Sequence, residues 1–236
     1  MKKYLLSTLS DGICVVLLSV CPILCYASAF SVKLESSVLI MAAVLFSIVF
    51  SLLSAFVKNN LKYALCMTVI AFVAFLVFVF ANEHIFAQAN YAINKLLELY
   101  SVYLSVYSNI KFASYIANNA TGFFVLLSLI LNGLFSFLIS RIKSIKIAGL
   151  LSIALLVPCF VLVNTLPDLV PLLIIFTVLF ALYFSSQTRQ LNYAHSGVIT
   201  AVCAVILAVL ITVLAVINPV ADYERPKWQD NMLNTV

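Results

Sequence analysis

Residues 128–140 read SLILNGLFSFLIS, and this stretch decides the fold. It carries no charge, and Leu, Ile and Phe fill most of its positions. The polar residues recur every four positions, at Ser128, Asn132, Ser136 and Ser140, with Gly133 beside the second of them. Residues four apart lie on the same face of an α-helix. We therefore predict a helix with one polar face in otherwise apolar surroundings.

The composition of the whole chain is that of a membrane protein. Of its 236 residues, 65% are hydrophobic and only 9% are charged. Soluble domains have about 25% charged residues. A chain with so few charges cannot cover a water-facing surface, so we predict an integral membrane protein. The net charge of +5 does not indicate a nucleic-acid partner, because the basic residues are scattered between apolar segments.

Seven apolar stretches approach the length of about 20 residues that a spanning helix needs. They are Ile13–Phe30, Val38–Val57, Ala64–Ala81, Gly122–Ile139, Ile147–Val163, Val170–Phe184 and Gly197–Ile217. None of them shows the strict alternation of a barrel strand. The sequence therefore predicts an all-α, polytopic transmembrane helix bundle of about seven spans over residues 1–217.

Lys and Arg concentrate in alternate connections between these stretches. The larger set is Lys2, Lys3, Lys58, Lys62, Arg141, Lys143, Lys146 and Arg189. The smaller set is Lys33, Lys95, Lys111, Arg225 and Lys227. Connections rich in Lys and Arg stay in the cytoplasm. We predict a multi-pass protein of a cell membrane, the bacterial cytoplasmic membrane, with its N-terminus inside and residues 218–236 outside.

The start of the chain has a second interpretation. The residues MKKYLL, an apolar run and Ala27-Ser28-Ala29 are also typical of a cleaved signal peptide. Cleavage would leave the rest of the topology unchanged.

The connection at residues 82–120 is predicted to lie outside and to contain an amphipathic helix. Its apolar stripe consists of Ile93, Leu97, Tyr100, Leu104 and Tyr107. Tyrosines favour the level of the lipid headgroups. We expect this helix to lie on the outer membrane surface or to cap the bundle. A docking platform or lid is the alternative.

The four-residue pattern recurs with smaller side chains in the second apolar stretch, at Ala43, Ser47, Ser51 and Ala55. Small and hydroxyl residues at this spacing are typical of close helix packing in membranes. The same reasoning predicts that the face around Asn132 packs against other helices. The alternative is a polar pocket with Asn132 at its centre.

The sequence contains no motif that indicates catalysis, a metal or a cofactor. It has six cysteines but no CxxC spacing, and no histidine lies beside a cysteine. The predicted spans contain no residue that is clearly ionisable in mid-membrane, which argues against proton-coupled carriers. Whether the chain is an enzyme remains open, and no catalytic, metal-binding or cofactor-binding residue is predicted.

The final residues, 218–236, form a predicted external connector that contains NPVADYERPKW. Together with the apolar helices and the basic connection SRIKSIK at 140–146, this stretch resembles the N-terminal membrane region of bacterial transglutaminase-like membrane proteins. In that family an extracytoplasmic domain with a Cys-His-Asp triad follows. The present chain has no cysteine outside its predicted spans, so none of the triad can be assigned here. The resemblance implies a non-catalytic module that anchors or orients an extracytoplasmic domain or partner.

A second function remains open at this stage. A small-solute transporter, or the membrane-embedded substrate-binding subunit of one, would use the Asn132 face as its pocket. The expected partners are the lipid bilayer, together with an extracytoplasmic domain or other membrane subunits, and no nucleic acid.

Overall fold

The computed structural model describes residues 2–81, 84–104, 117–161, 167–190 and the single helical residue 209. These residues form helices joined by short connections, and no strand occurs among them. The helices are α1 (Lys2–Ala29), α2 (Ser36–Phe56), α3 (Asn60–Ala81), α4 (Ile85–Leu104), α5 (Thr121–Ser136), α6 (Ile145–Val161) and α7 (Leu169–Gln190). A π-helical segment, Phe137–Ile142, continues α5. The all-α prediction is confirmed for this part of the chain.

Four of these helices are long and apolar enough to cross a membrane. The corresponding segments are Asp11–Ala29, Ser36–Ser54, Asn60–Phe80 and Thr121–Ile142. Helices α6 and α7 contribute shorter apolar segments, Ile145–Phe160 and Leu169–Phe184. These lengths and compositions indicate association with a membrane. The seventh predicted span, Gly197–Ile217, lies outside the described residues except for Val209.

Three prolines lie within the described helices. Pro22 is inside α1 and Pro158 is inside α6. Pro171 is the third residue of α7, where the missing N–H costs no helical hydrogen bond. Helix α1 begins at Lys2, well before Ile13, the first residue of the predicted span. The prediction started later because Lys2 and Lys3 do not belong to the apolar run.

Helices α1 and α5 form the centre of the bundle. Helix α1 packs against α2, α5, α6 and α7, and α5 packs against α1, α2, α3 and α4. In an apolar stretch of 18 residues within Thr121–Ile142, 61% of the residues are buried, whereas only 6% are buried in the corresponding stretch of Asn60–Phe80. Helix α3 therefore lies at the edge, with most of its large apolar side chains exposed.

The bundle has two distinct ends. At one of them Arg141 donates a hydrogen bond to the carbonyl oxygen of Lys58, which joins the α2–α3 turn to the π-helical segment. We call this the basic end; its cations among the side chains that the structure describes are Lys58, Lys62, Arg141, Lys143 and Lys146. At the opposite end the N–H of Ala120 donates to the carbonyl of Lys33, and the N–H of Asp168 donates to Ser28 Oγ.

Candidate functional site

The polar residues of 128–140 lie mainly in the interior. Ser128 and Asn132 are fully buried, Ser136 is 2% exposed, and Gly133 is also buried. Ser140 falls in the π-helical segment and is half-buried. The polar residues four apart are thus buried along α5, and the burial becomes partial at Ser140, where the chain is π-helical.

Asn132 connects α5 to α1. Its Nδ2 donates to Ser19 Oγ at 2.9 Å and to the carbonyl oxygen of Ser128 at 2.9 Å. Ser19 Oγ in turn donates to the carbonyl of Val16 at 2.9 Å. Both amide hydrogens of Asn132 are thus used, and its Oδ1 is buried without a hydrogen-bond partner. The sequence pattern identified Asn132 but gave no sign that Ser19 would face it.

A second polar contact connects α3 to the end of α5. The hydroxyl groups of Tyr63 and Ser136 are 2.9 Å apart, and Tyr63 is completely buried. Tyr63 is also the one buried residue in the segment Asn60–Phe80. Tyr63 therefore provides a buried polar contact between the first turn of α3 and the end of α5.

Arg141 binds the C-terminus of α2. Its guanidinium donates to the carbonyl oxygens of Ser54, Val57 and Lys58 and lies 4.7 Å from the centre of the Tyr63 ring. The last carbonyls of a helix have no intrahelical partner and attract a cation. A cation above an aromatic face is attracted by the ring as well. The Nε atom of Arg141 is buried and has no partner.

The backbone around Arg141 is unusual. Residues Phe137–Ile142 form a π-helix, which is rare and often occurs at functional positions. The segment ends at Lys143, whose φ of 55° lies in the left-handed region, and the N–H of Lys143 donates to the carbonyl of Leu138. Together these features turn the chain sharply after Ile142, so that Arg141 stays beside α2 and α6 can begin at Ile145.

Two of the small residues of α2, Ser47 and Ser51, lie next to α1. Ala43 and Ser47 are buried, Ser51 is half-buried, and the side chain of Ala55 lies outside what the structure describes. Ser47 Oγ donates to the carbonyl oxygen of Gly12 at 3.0 Å. A Cβ atom at Gly12 would lie 3.4 Å from both Ser47 Oγ and Ser51 Oγ. The two helices therefore approach closely at this point.

Helix α4 covers the start of α5. Gln88 Oε1 accepts a hydrogen bond from the N–H of Phe123 at 3.1 Å, and Ile85, Ala87 and Ala92 are buried. Of the predicted stripe, Ile93 is 38% exposed and Leu97 is half-buried. Tyr100 and Leu104 belong to α4, but their side chains are not described, and Tyr107 lies outside the described residues.

An apolar cavity of about 180 Å³ lies between α1, α4, α5 and α6. The residues that line it include Pro22, Tyr26, Ile93, Phe124, Leu127 and Leu155. Ser128, Asn132 and Ser136 do not line it. The structure therefore separates the polar face of α5 from this cavity.

The described residues do not contain a cluster of three His, Cys, Asp or Glu side chains that could hold a metal ion. The described cysteines Cys14, Cys21, Cys25, Cys66 and Cys159 are free thiols, and Cys203 lies outside the described ranges. No known protein family, curated protein or solved structure matches this chain.

Proposed function

We propose that this chain is a non-catalytic, multi-pass membrane module that anchors or orients an extracytoplasmic domain or partner. The observation that carries the proposal is the use of the buried polar side chains. The amide hydrogens of Asn132, the hydroxyl of Ser47 and the hydroxyl of Tyr63 all bind neighbouring helices or backbone. A solute pathway would need such groups to face an opening.

These contacts favour a stable scaffold because of where they lie. Asn132 joins α5 to α1, Ser47 joins α2 to α1, and Tyr63 joins α3 to α5. Polar groups in a membrane interior must find partners within the protein, and small residues let helices approach closely. Helices held together in this way would present their ends in a fixed arrangement.

The distribution of charge supports the proposed orientation. The α2–α3 turn, the start of α3, the π-helical segment with the residue after it and the start of α6 bring five cations to the basic end, whereas Glu35 and Asp168 belong to the opposite end. Cytoplasmic connections carry an excess of Lys and Arg. The basic end would therefore face the cytoplasm. With seven spans, the 82–120 connection with its surface helix and residues 218–236 would then be outside.

The relationship to transglutaminase-like membrane proteins is part of this proposal. It is supported by the apolar helices, by the position of residues 140–146 at the basic end, and by the sequence NPVADYERPKW. In that arrangement the external partner would carry the chemistry and this chain would carry the attachment.

Site-specific crosslinking in intact cells tests the proposal. A photoreactive amino acid is placed at Trp228 in the connector and, as the matched control, at Lys146 at the basic end. The expected result is a crosslink from position 228 to a protein with an extracytoplasmic domain and no such product from position 146. Deletion of Tyr223–Val236 should abolish the association. Crosslinks to that domain from position 146 alone, or an unchanged association after the deletion, would refute the anchor function.

A transporter or membrane-embedded binding subunit is the second candidate, because the apolar cavity could hold a small ligand. Thermal stability of the purified chain is measured against a panel of small apolar solutes. A solute that stabilises the wild-type protein, but not a variant whose cavity is filled by Ile93→Trp, would favour this function. Loss of binding in Asn132→Leu as well would connect the polar face to the ligand.

A further inference from the structure

The basic end combines exposed lysines with exposed apolar side chains. Lys58, Lys62, Lys143 and Lys146 are exposed there. The neighbouring apolar residues are exposed as well: Phe56 at 82%, Leu61 at 71% and Ile142 at 45%. The surface therefore has a cationic part directly beside an apolar part.

Arg141 brings the lysines of different elements together. Its guanidinium binds the carbonyls of Val57 and Lys58, and it precedes Lys143 by two residues. It also lies over the ring of Tyr63, next to Lys62. The Arg141 contacts therefore join the backbone segments that carry Lys58, Lys62 and Lys143, and the guanidinium adds its own positive charge.

Little negative charge offsets these cations. Among the described side chains in this half of the bundle, the acidic residue is Asp11 of α1, next to Gly12, whose carbonyl accepts the bond from Ser47. Asp11 is half-buried and already takes part in an interaction of its own. The exposed surface of the basic end is thus strongly positive.

We propose that the basic end binds the phosphate headgroups of anionic membrane lipids, in particular at the surface formed by Lys58, Lys62 and Lys143. This inference rests on the membrane embedding in the proposed function and adds a lipid partner to it. The lysine ammonium groups contact the phosphates, and Phe56, Leu61 and Ile142 contact the acyl chains. Basic clusters immediately cytoplasmic of spanning helices attract anionic lipids.

The adjoining apolar surface distinguishes a lipid from other polyanions. RNA or a soluble phosphorylated ligand would match the lysines but would leave Phe56 and Leu61 against a charged molecule. Lys58 and Lys143 follow within four residues of the apolar segments Ser36–Ser54 and Thr121–Ile142, and Lys62 is the third residue of Asn60–Phe80. This position corresponds to the headgroup level of a bilayer.

The test is lipid retention by the purified full-length chain, measured by native mass spectrometry from bilayers with equal amounts of phosphatidylglycerol and phosphatidylcholine. The wild-type protein should retain phosphatidylglycerol preferentially. The double variant Lys58→Ser/Lys143→Ser should lose about tenfold or more of this preference, since each basic residue near the surface adds to the attraction of anionic lipids. The control, Lys33→Ser/Lys95→Ser, removes the same charge elsewhere and should keep the preference.

Equal losses in the two double variants, or no preference in the wild-type protein, would overturn the proposal. Glycerol phosphate is added to protein in phosphatidylcholine bilayers as a further arm. If it stabilised the protein as well as phosphatidylglycerol does, the site would bind free phosphate compounds and not lipid. The experiment uses no external partner, so its outcome is independent of the crosslinking test of the anchor function.

Discussion

Helices α5 and α3 are both long and apolar, yet they differ in how far the rest of the protein buries them. In an apolar stretch of 18 residues within α5 and its π-helical extension 61% of the residues are buried, against 6% in the corresponding stretch of α3. Helix α5 carries buried polar residues at a spacing of four, whereas α3 has bulky apolar side chains on nearly all sides. Hydrophobicity thus makes both helices suited to a membrane. Small and polar residues determine which helices lie at the centre, because lipid competes equally for apolar surface.

The largest expected difference between the two helices concerns aromatic truncation. Phe135 in α5 is fully buried, and Phe72 in α3 is 59% exposed. Phe135→Ala should lower the free energy of unfolding by about 3–5 kcal/mol, because it leaves a cavity. Phe72→Ala should cost less than about 1 kcal/mol, because lipid or detergent chains fill the space. Detergent-induced unfolding followed by circular dichroism measures both. Equal losses would mean that α3 is covered by protein.

The point where α3 joins the bundle provides the second test. Arg141 donates to backbone carbonyls of α2 and lies over Tyr63 at the start of α3. Arg141→Lys keeps the charge but loses the planar group that binds several carbonyls at once. We expect a loss of about 2 kcal/mol in the free energy of unfolding. The control Lys62→Arg changes an exposed side chain and should stay within about 0.5 kcal/mol. A neutral effect of Arg141→Lys would show that charge alone holds α2 and α3 together.

Part of this difference could be predicted from sequence, because local patterns of apolar and polar residues indicate helices and their faces. Contacts between residues far apart in the chain have no such pattern. Apolar runs predicted the helices, and the spacing of Ser128, Asn132 and Ser136 placed them on one face, which the structure buries. The partners on the other helices were not predicted. Ser19 is one serine within an apolar run, and its contact with Asn132 spans 113 positions. A local pattern indicates which face is polar, but only the tertiary structure determines what it meets.

The contacts of Tyr63 with Ser136 and Arg141 were not predicted, for a related reason. Tyr63 lies one position before the predicted span, and Arg141 was interpreted only as a topology signal. Neither residue has a local pattern that indicates their contact. The π-helical segment that keeps Arg141 beside α2 also has no signature in the sequence, because its geometry depends on how the end of α5 packs.

The third test compares polar groups in the two helices. Asn132 of α5 donates to Ser19 Oγ and to the Ser128 carbonyl, whereas Thr68 of α3 is exposed and bonds within its own helix to the Ala64 carbonyl. Asn132→Leu should lower the free energy of unfolding by about 1 kcal/mol, since an interhelical hydrogen bond in a membrane contributes about that amount. Thr68→Val should have almost no effect. A stabilising Asn132→Leu would indicate that the unpartnered Oδ1 costs more than the two bonds contribute.

The smallest effect is expected for an exposed ion pair on α4. Lys95 Nζ lies 2.8 Å from Glu98 Oε2, and the side chains are 36% and 64% exposed. The hydrogen bond to Glu98 raises the pKa of Lys95 above its ordinary value of 10.5. Because the pKa is higher in the folded protein, the pair contributes its full stability at pH values below the ordinary pKa of Lys95. This contribution is lost as the pH rises through the raised pKa. An exposed pair contributes less than about 0.5 kcal/mol, and Lys before Glu is the weaker order on a helix.

Lys95→Gln should accordingly lower stability only slightly at neutral pH and should remove the part of the alkaline loss that depends on this pair. Unfolding curves are compared at neutral pH and above about pH 10 for the wild-type protein, Lys95→Gln and Lys33→Gln. Lys33→Gln removes a lysine charge without this bond and should retain the wild-type pH dependence. A loss at Lys95 as large as that of Asn132→Leu would show that α4 is held by its surface charges. Its attachment would then not depend mainly on the buried Ala92 and the Gln88 bond to α5.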